Sequence, residues 1–539
     1  MQQGGRSGGG VVLLTLASAQ FLMTLDSSVM NVSIATVAKD VGTTVTGIQT
    51  AITLYTLVMA AFMITGGKIG QILGRRRAFV IGALIYGTGS LVTSLAGSLP
   101  VLIIGWSVLE GLGAALIMPS VVALVAANFA GGERPRAYGL VASAGAIAVA
   151  VGPLVGGLFT TYLSWRWVFA GEVVISLVLV VMARRLVDPA PTDRPKLDPV
   201  GTVLSAAGLG LLVYGIIRIG SWGAVVPKPG APMLWGISAV TWLILSGGAV
   251  LVAFVEWEAW RGSHGKSVLL DLELLRVARL RAGLVSFFFQ YLLQAGLFFV
   301  VPLFLSVALG LSAVATGVRL LPLSLSLLLA AVAVPRLFPQ ASPRRVVRLG
   351  FLALFVGVVA LLGAIDVGVG PEVVTWPLLI VGIGVGSLAS QLGAVTVSAV
   401  PDERSPEVGG IQNTVTNLGA SIGTALAGAV LIAVLTSSFL TGIAHHPTVP
   451  SNLSNQATVE LSSGVPFVSD TQLRTALETE GVPEQTVDAV VDVNTSSRIE
   501  ALQAALAVLA FFALIALVAT RRLPTVAAAR DDADHLDDV

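Results

Sequence analysis

Three carboxylates stand in stretches that are otherwise apolar. Asp26 lies in Leu25-Asp26-Ser27-Ser28-Val29-Met30-Asn31-Val32, Glu110 in Trp106-Ser107-Val108-Leu109-Glu110-Gly111, and Glu172 shortly after Ser164-Trp165-Arg166-Trp167-Val168-Phe169. An ionised side chain at the middle of a bilayer costs about 2.5–3.5 kcal/mol on insertion scales, so such an acid faces a cavity or a partner, or carries a proton. The chemistry this suggests is loading and unloading of protons by Asp26, Glu110 and Glu172. The plainer alternative is that Asp26 is a packing device bonded to helix ends. Each Glu would then be a neutral tie between helices, commonly worth under about 1 kcal/mol in membranes. No nucleotide-binding P-loop, metal-ligand cluster or nucleophile–base pattern is found, so we expect no enzyme, no cofactor and no metal, with an ion gradient as the energy source.

A second set is backbone chemistry. The run Gly145-Ala-Ile-Ala-Val-Ala-Val-Gly152-Pro153-Leu-Val-Gly156-Gly157 is apolar throughout. Interior Gly costs a helix about 1 kcal/mol and Pro about 3 in water. In lipid the backbone has no other partner, so the helix survives and glycines become a smooth packing face. Gly145, Gly152 and Gly156 are seven and four apart, and Pro153 predicts a kink, suiting a helix on which two halves rock.

A third set is pocket material. Phe287, Tyr291, Gln294 and Phe298 follow one another at helical spacing, as do Asn413 and Asn417 one turn apart. Aromatics with a few amides suit bulky amphiphiles, although a packing stripe reads almost the same. Asn31 and Tyr55 are the polar lining expected from the N-terminal half.

The elements carrying these residues are membrane spans. The chain has 539 residues, 55% hydrophobic and 11% charged, against about 25% charged in soluble domains. Its mean hydropathy is +0.89. A formal charge of +1 argues against a nucleic-acid partner, and the absence of cysteine excludes disulfides. Apolar stretches lie near 11–36, 48–67, 77–97, 100–128, 137–161, 166–187, 200–219, 234–256, 282–306, 314–335, 346–366, 374–400, 407–437 and 499–520. Ala17-Ser18-Ala19 after an apolar run looks like a signal-peptide end, but the run continues to about Val37 and reads as the first span. Most of the 31 basic residues fall on one side of this alternation, including Lys68, Arg75–Arg77, Arg184, Arg194, Arg344, Arg345, Arg404, Arg521, Arg522 and Arg530. The positive-inside rule then puts both termini in the cytoplasm. Residues 257–281 are expected to be a cytoplasmic connection with an interfacial helix on Val268–Leu275. In the polar outer insert 438–498, a helix capped by Asp470 and a second one begun by Pro483 would form a hairpin over the outer mouth, the plainer alternative being a loosely ordered loop.

These features together resemble the fourteen-helix drug:proton antiporter branch of the major facilitator superfamily. The first helix is similar to that branch's motif of Leu-Asp, two residues, then Val-Val-Asn-Val. Gly67-Lys68-Ile69-Gly70-Gln71-Ile72-Leu73-Gly74-Arg75-Arg76 resembles motif A, with Gln71 where the family has Asp. The stretch Trp106–Ala115 resembles motif B, with Ser107 for the usual Arg and Glu110 for Gln. Gly145–Gly157 resembles the antiporter motif C.

The resemblance implies an all-α integral membrane fold of two six-helix bundles. On this reading a cytoplasmic N-terminus (1–10) precedes the N-terminal bundle (11–187), and 188–256 are a linker with two extra helices. The connection 257–281 leads to the C-terminal bundle (282–520), and 521–539 are a cytoplasmic tail. It implies a cytoplasmic gate of Gly67, Gln71, Gly74, Arg75 and Arg76. Gln71 brings no charge to a helix N-terminus, so Arg75 with Glu133 is expected to assist the gate. It implies a monomeric multi-pass plasma-membrane exporter, with protons, membrane lipids and an amphipathic small molecule as partners. Two alternatives stay open: a lipid, glycolipid or metabolite cargo on the same fold, and a non-transporting sensor or scaffold.

Overall fold

The computed structural model describes residues 6–129, 133–188, 196–338, 340–397, 399–400, 405–451, 454, 457, 461, 464–520 and 523. Arg194, Arg404, Arg521, Arg522, Arg530 and the tail beyond 523 lie outside the described residues, as do 1–5 of the N-terminal segment.

Long helices dominate, as hydrocarbon requires of a backbone that has only itself to bond to. The first half contains α1 (Arg6–Asp40), α2 (Val45–Leu73), α3 (Arg75–Ser94), α4 (Leu99–Asn128), α5 (Arg134–Tyr162) and α6 (Arg166–Met182). The extra pair is α7 (Pro199–Trp222) and α8 (Ala239–Ser263). The second half contains α9 (Ala278–Leu303), α10 (Ala313–Leu337), α11 (Pro343–Ala364), α12 (Thr375–Val397), α13 (Ser405–His445) and α15 (Glu484–Ala519), with the short α14 (Asp470–Thr479) outside the bundle. Several starts are written locally: the side chains of Thr44, Ser238, Ser312 and Ser342 each accept a backbone N–H of the helix they precede. Among the described residues, thirteen helices are long and apolar enough to cross a membrane. The helix α3 falls outside this set: its opening Arg75-Arg76-Arg77 lowers its apolarity, and it packs along α4 and α6.

The two halves meet along two seams, α5 with α10 and α2 with α13. Both use close approach. A Cβ on Gly157 would lie 2.7 Å from the Ala313 carbonyl, and one on Gly317 would clash with that of Pro153. Gln49 donates across the second seam to the Thr424 carbonyl at 3.0 Å, and Ser421 donates to that of Thr53. The extra pair is no appendage: α7 lies against both α2 and α13, and Leu57, Ala61, Val213 and Ala425 share one apolar cluster.

Four expectations need correction. Residues 264–277 carry no interfacial helix, only a three-residue 3-10 turn at Leu274–Arg276, because Leu269 and Leu274 are buried against the protein instead of lying on lipid. The eighth span starts at Ala239, since a small hairpin of β1 (Met233–Leu234) and β2 (Ile237–Ser238) precedes it. The helix begun after Pro483 is not separate from the last span near 499–520 but runs unbroken into it as α15. The cap of α14 is Ser469 in a capping box with Gln472. Asp470 instead pairs at 2.6 Å with the buried Arg498 of α15.

The glycine face of α5 also turns elsewhere than expected. Gly145, Gly152 and Gly156 face Gln20, Ser28 and Val29 of α1, inside the same half. The inter-half seam is left to Gly157 and the Pro153 carbonyl, and α5 is continuous through Pro153.

Candidate functional site

The three acids come from three separate stretches of sequence and converge. Asp26 is on α1, Glu110 on α4 and Glu172 on α6, with one carboxylate oxygen of each lying within 4.8 Å of the others. Each is fully buried, at 0%, 0% and 1% exposure. Both carboxylate oxygens of Asp26 accept from the Trp106 indole N–H, at 2.9 and 3.0 Å. Glu110 accepts from Thr93 at 3.1 Å, and Glu172 from Ser90 at 3.2 Å and Tyr86 at 3.5 Å. One oxygen of Glu110, one of Glu172 and the Tyr55 hydroxyl have no partner.

Local backbone makes room for this. The stretch Ile103–Glu110 of α4 is a π-helix, wider by one residue per bond than an α-helix. Such bulges turn side chains off their regular face. Here the bulge delivers Trp106, Ser107 and Glu110 all to the interior, each at most 1% exposed. Opposite it, Gly89 of α3 leaves the space Glu110 fills: a Cβ there would lie 2.6 Å from Glu110 Cγ and 2.7 Å from its backbone N. Ser107, at the usual Arg position of motif B, donates to the Ala51 carbonyl at 2.8 Å. No basic side chain ion-pairs with any of the three acids among the described residues.

The arrangement can hold protons and isolate them. Two carboxylate charges at 4.8 Å or less repel by about 3.5 kcal/mol or more at an effective dielectric of about 20. An oxygen without a partner, such as one on Glu110 and one on Glu172, is where a protonated carboxyl presents its O–H. Tyr55, expected in the substrate cavity, belongs to this cluster instead: its ring stacks on Trp106 at 5.1 Å and 9°.

The residues expected to form the gate sit at the arginine-rich end. Gly67, Gln71 and Arg75 line a cavity of about 150 Å³ there, together with Lys68, Pro119, Ala123, Leu269, Leu270, Leu274 and Ile411 among others. Gly74 turns the chain between α2 and α3 at φ +97°, a value that favours glycine. Arg75 donates to the Ala123 carbonyl at 3.3 Å and makes no ion pair with Glu133, which is exposed at the start of α5. A residue the sequence reading missed does that work. Asp188 accepts the Arg76 backbone N–H at 3.0 Å, supplying at the N-terminus of α3 the negative charge that Gln71 lacks. Asn128 fixes Asp188 in place by bonding both the N–H and the carbonyl of Val187, each at 2.9 Å. An Asn at the end of α4 and an Asp just past α6 gave no local signal of this.

The expected pocket residues are dispersed. Phe287 is buried and lies 6.5 Å, ring to ring, from Tyr291, while Gln294 and Phe298 are half-buried further along α9. Asn417 donates to the Asn413 carbonyl at 2.8 Å, and Asn31 to that of Ser27 at 2.9 Å, so these amides are tied to their own helices. None of them lines the cavity at the arginine-rich end.

Over 449 residues the chain is 31% identical to the puromycin resistance protein of Streptomyces alboniger, covering 81% of this chain and 84% of that one. It is 30% identical over 439 residues to a probable actinorhodin transporter of Streptomyces coelicolor, covering 79% and 72%. A solved bacterial homolog of the human lysosomal transporter Spinster, inward-facing and occupied, superposes with a TM-score of 0.56 at 15% identity over 97% of this chain and 98% of that one. Residues 16–424 match the family model of the Major Facilitator Superfamily. With that match spanning most of its length, this multi-pass membrane transporter belongs to the major facilitator superfamily.

Proposed function

We propose that this protein exports amphipathic small molecules from the cell, coupled to inward movement of protons, by alternating access between its two halves. The observation that carries the proton half of this reading is the meeting of Asp26, Glu110 and Glu172 within 4.8 Å in the first bundle, sealed from solvent and with no basic side chain paired to them among the described residues. A coupling site must not leak, and burial of this kind means that protons exchange only when the helices around it move. The export half is supported by the relatives, which are named for antibiotic resistance and transport. The arginine-rich end is the cytoplasmic one by the positive-inside rule, so the cavity lined by Gly67 and Gln71 faces the cell interior. The two seams, built from glycine against backbone, allow the halves to pivot as packed bodies.

The test is transport by purified protein in liposomes carrying a fluorescent amphipathic dye. A pH gradient should drive dye movement, and Asp26→Asn should abolish it while leaving dye binding in place. Full pH-driven transport by Asp26→Asn removes that residue from coupling. Transport that ignores the pH gradient in the parent protein refutes proton coupling altogether.

A further inference from the structure

The connection between the extra helices and the second half does more than join them. Its first part is fastened to α8. Arg261 donates to the Ser267 carbonyl at 2.9 Å through Nε and at 2.7 Å through Nη2. Arg261 also pairs with the buried Asp198 at 3.3 Å, which accepts the Trp257 indole N–H at 2.9 Å. Glu258, 1% exposed, accepts the backbone N–H of Leu269 at 2.7 Å and of Leu270 at 3.2 Å.

From those two bonds the chain descends into the mouth between the halves. Val268, Leu269, Leu270 and Leu274 face α2 and α4 of the first half across the cavity at the arginine-rich end. Leu274 also packs with Leu280 and Leu284 of α9 and with Val408 and Ile411 of α13 in the second half. The segment thus touches both moving bodies while hanging from a third.

We propose that residues 264–277 are a strap closing this mouth, and that Glu258 is the positioning residue that holds the strap in it. The proposal rests on the alternating-access reading, since a strap wedged between two halves must leave when they part. Two features set the hold. Glu258 bonds the strap by its backbone, so the grip does not depend on which side chains the strap carries. The second oxygen of Glu258 has no partner and converges with Asp198 on Gly201, where an added Cβ would lie 2.5 Å from a carboxylate oxygen of each. The hold therefore also needs a glycine at 201.

The experiment uses the native absence of cysteine. Leu269→Cys, in the purified full-length protein, reports on the strap through its rate of modification by a water-soluble maleimide. Leu506→Cys, fully buried in α15, reports on the bundle. Adding Glu258→Ala should speed modification at 269 by about tenfold or more, the least that loss of one charge-assisted hydrogen bond gives. Glu258→Gln, which keeps a carbonyl acceptor, should restore most of the protection, and the rate at 506 should not move. Gly201→Ala should also speed modification at 269 by wedging the carboxylates apart, with every acceptor still present. An unchanged rate at 269 in both Glu258→Ala and Gly201→Ala overturns the strap. An equal rise at 506 overturns it too, because Glu258 would then be holding the whole bundle. None of these rates needs substrate or a gradient, so a parent protein that fails to transport sinks the export reading separately.

Discussion

Gly89→Ala is the sharpest perturbation of the acid cluster, because it adds one methyl where the structure leaves no room. The new Cβ would lie 2.6 Å from Glu110 Cγ, 2.7 Å from the Glu110 backbone N and 2.7 Å from the Gly105 carbonyl. Two of these neighbours are backbone and cannot swing away, so α3 and α4 must separate or Glu110 must leave its seat. Overpacking of this kind costs about 1–3 kcal/mol. If α3 and α4 separate, Thr93 loses its hold on Glu110, since that hydrogen bond, 3.1 Å, bridges the same two helices. Stability loss alone is controlled by Gly384→Ala in the second half, where a Cβ would lie 2.8 Å from the Gly350 carbonyl, far from any acid. Both variants should lose thermal stability in detergent by a similar amount. Only Gly89→Ala should lose pH-driven dye transport, by about tenfold or more, the rate change that about 1.4 kcal/mol produces. Equal transport by the two variants would refute the claim that the seat of Glu110 matters beyond packing.

Other outcomes follow from single contacts. Asp188→Ala should cost about 1 kcal/mol as the loss of a cap, and Asp188→Asn much less, read as the midpoint of thermal unfolding; equal midpoints for the two would remove Asp188 from the gate. Arg498→Met leaves Asp470 with its Asn494 and Thr495 partners but strips the Val468 carbonyl of its donor at 2.9 Å. Breaking a buried pair costs about 3–5 kcal/mol, and with Asp470 38% exposed the low end applies. A thermal midpoint unmoved by this change would show that the outer hairpin is not pinned there. Burial lowers the Lys228 ammonium below its usual 10.5. The unfolded chain therefore holds more protons than the folded one between the two values, and stability should rise with pH towards 10.5. Lys228→Met should flatten that rise; identical slopes of midpoint against pH in the two proteins would count against it.

Span number and order are legible in sequence because hydrocarbon filters composition so strongly. A run of about 20 apolar residues admits one backbone solution, and a single Thr44, Ser312 or Ser342 marks where it starts. The acids are legible for the same reason: Asp26, Glu110 and Glu172 stand out against an apolar background that makes each of them expensive.

What the sequence could not disclose is which way things face. Helical periodicity tells that Gly145, Gly152 and Gly156 share a side, but only packing decides that the side meets α1 and not the other half. The π-helical turn at Ile103–Glu110 shifts the register by a residue, which no periodic pattern foretells, in the stretch where Trp106 and Glu110 meet Asp26. Asp188 and Glu258 look like ordinary acids near helix ends until the fold hands each a backbone N–H, Asp188 from the distant start of α3 and Glu258 from the loop that follows its own helix. Lipid selects residues one span at a time, so the chain alone marked out the apolar spans and which of them carry acid. Contacts between spans depend on side-chain shape at close quarters, so only the tertiary structure settled that three solitary carboxylates are one group.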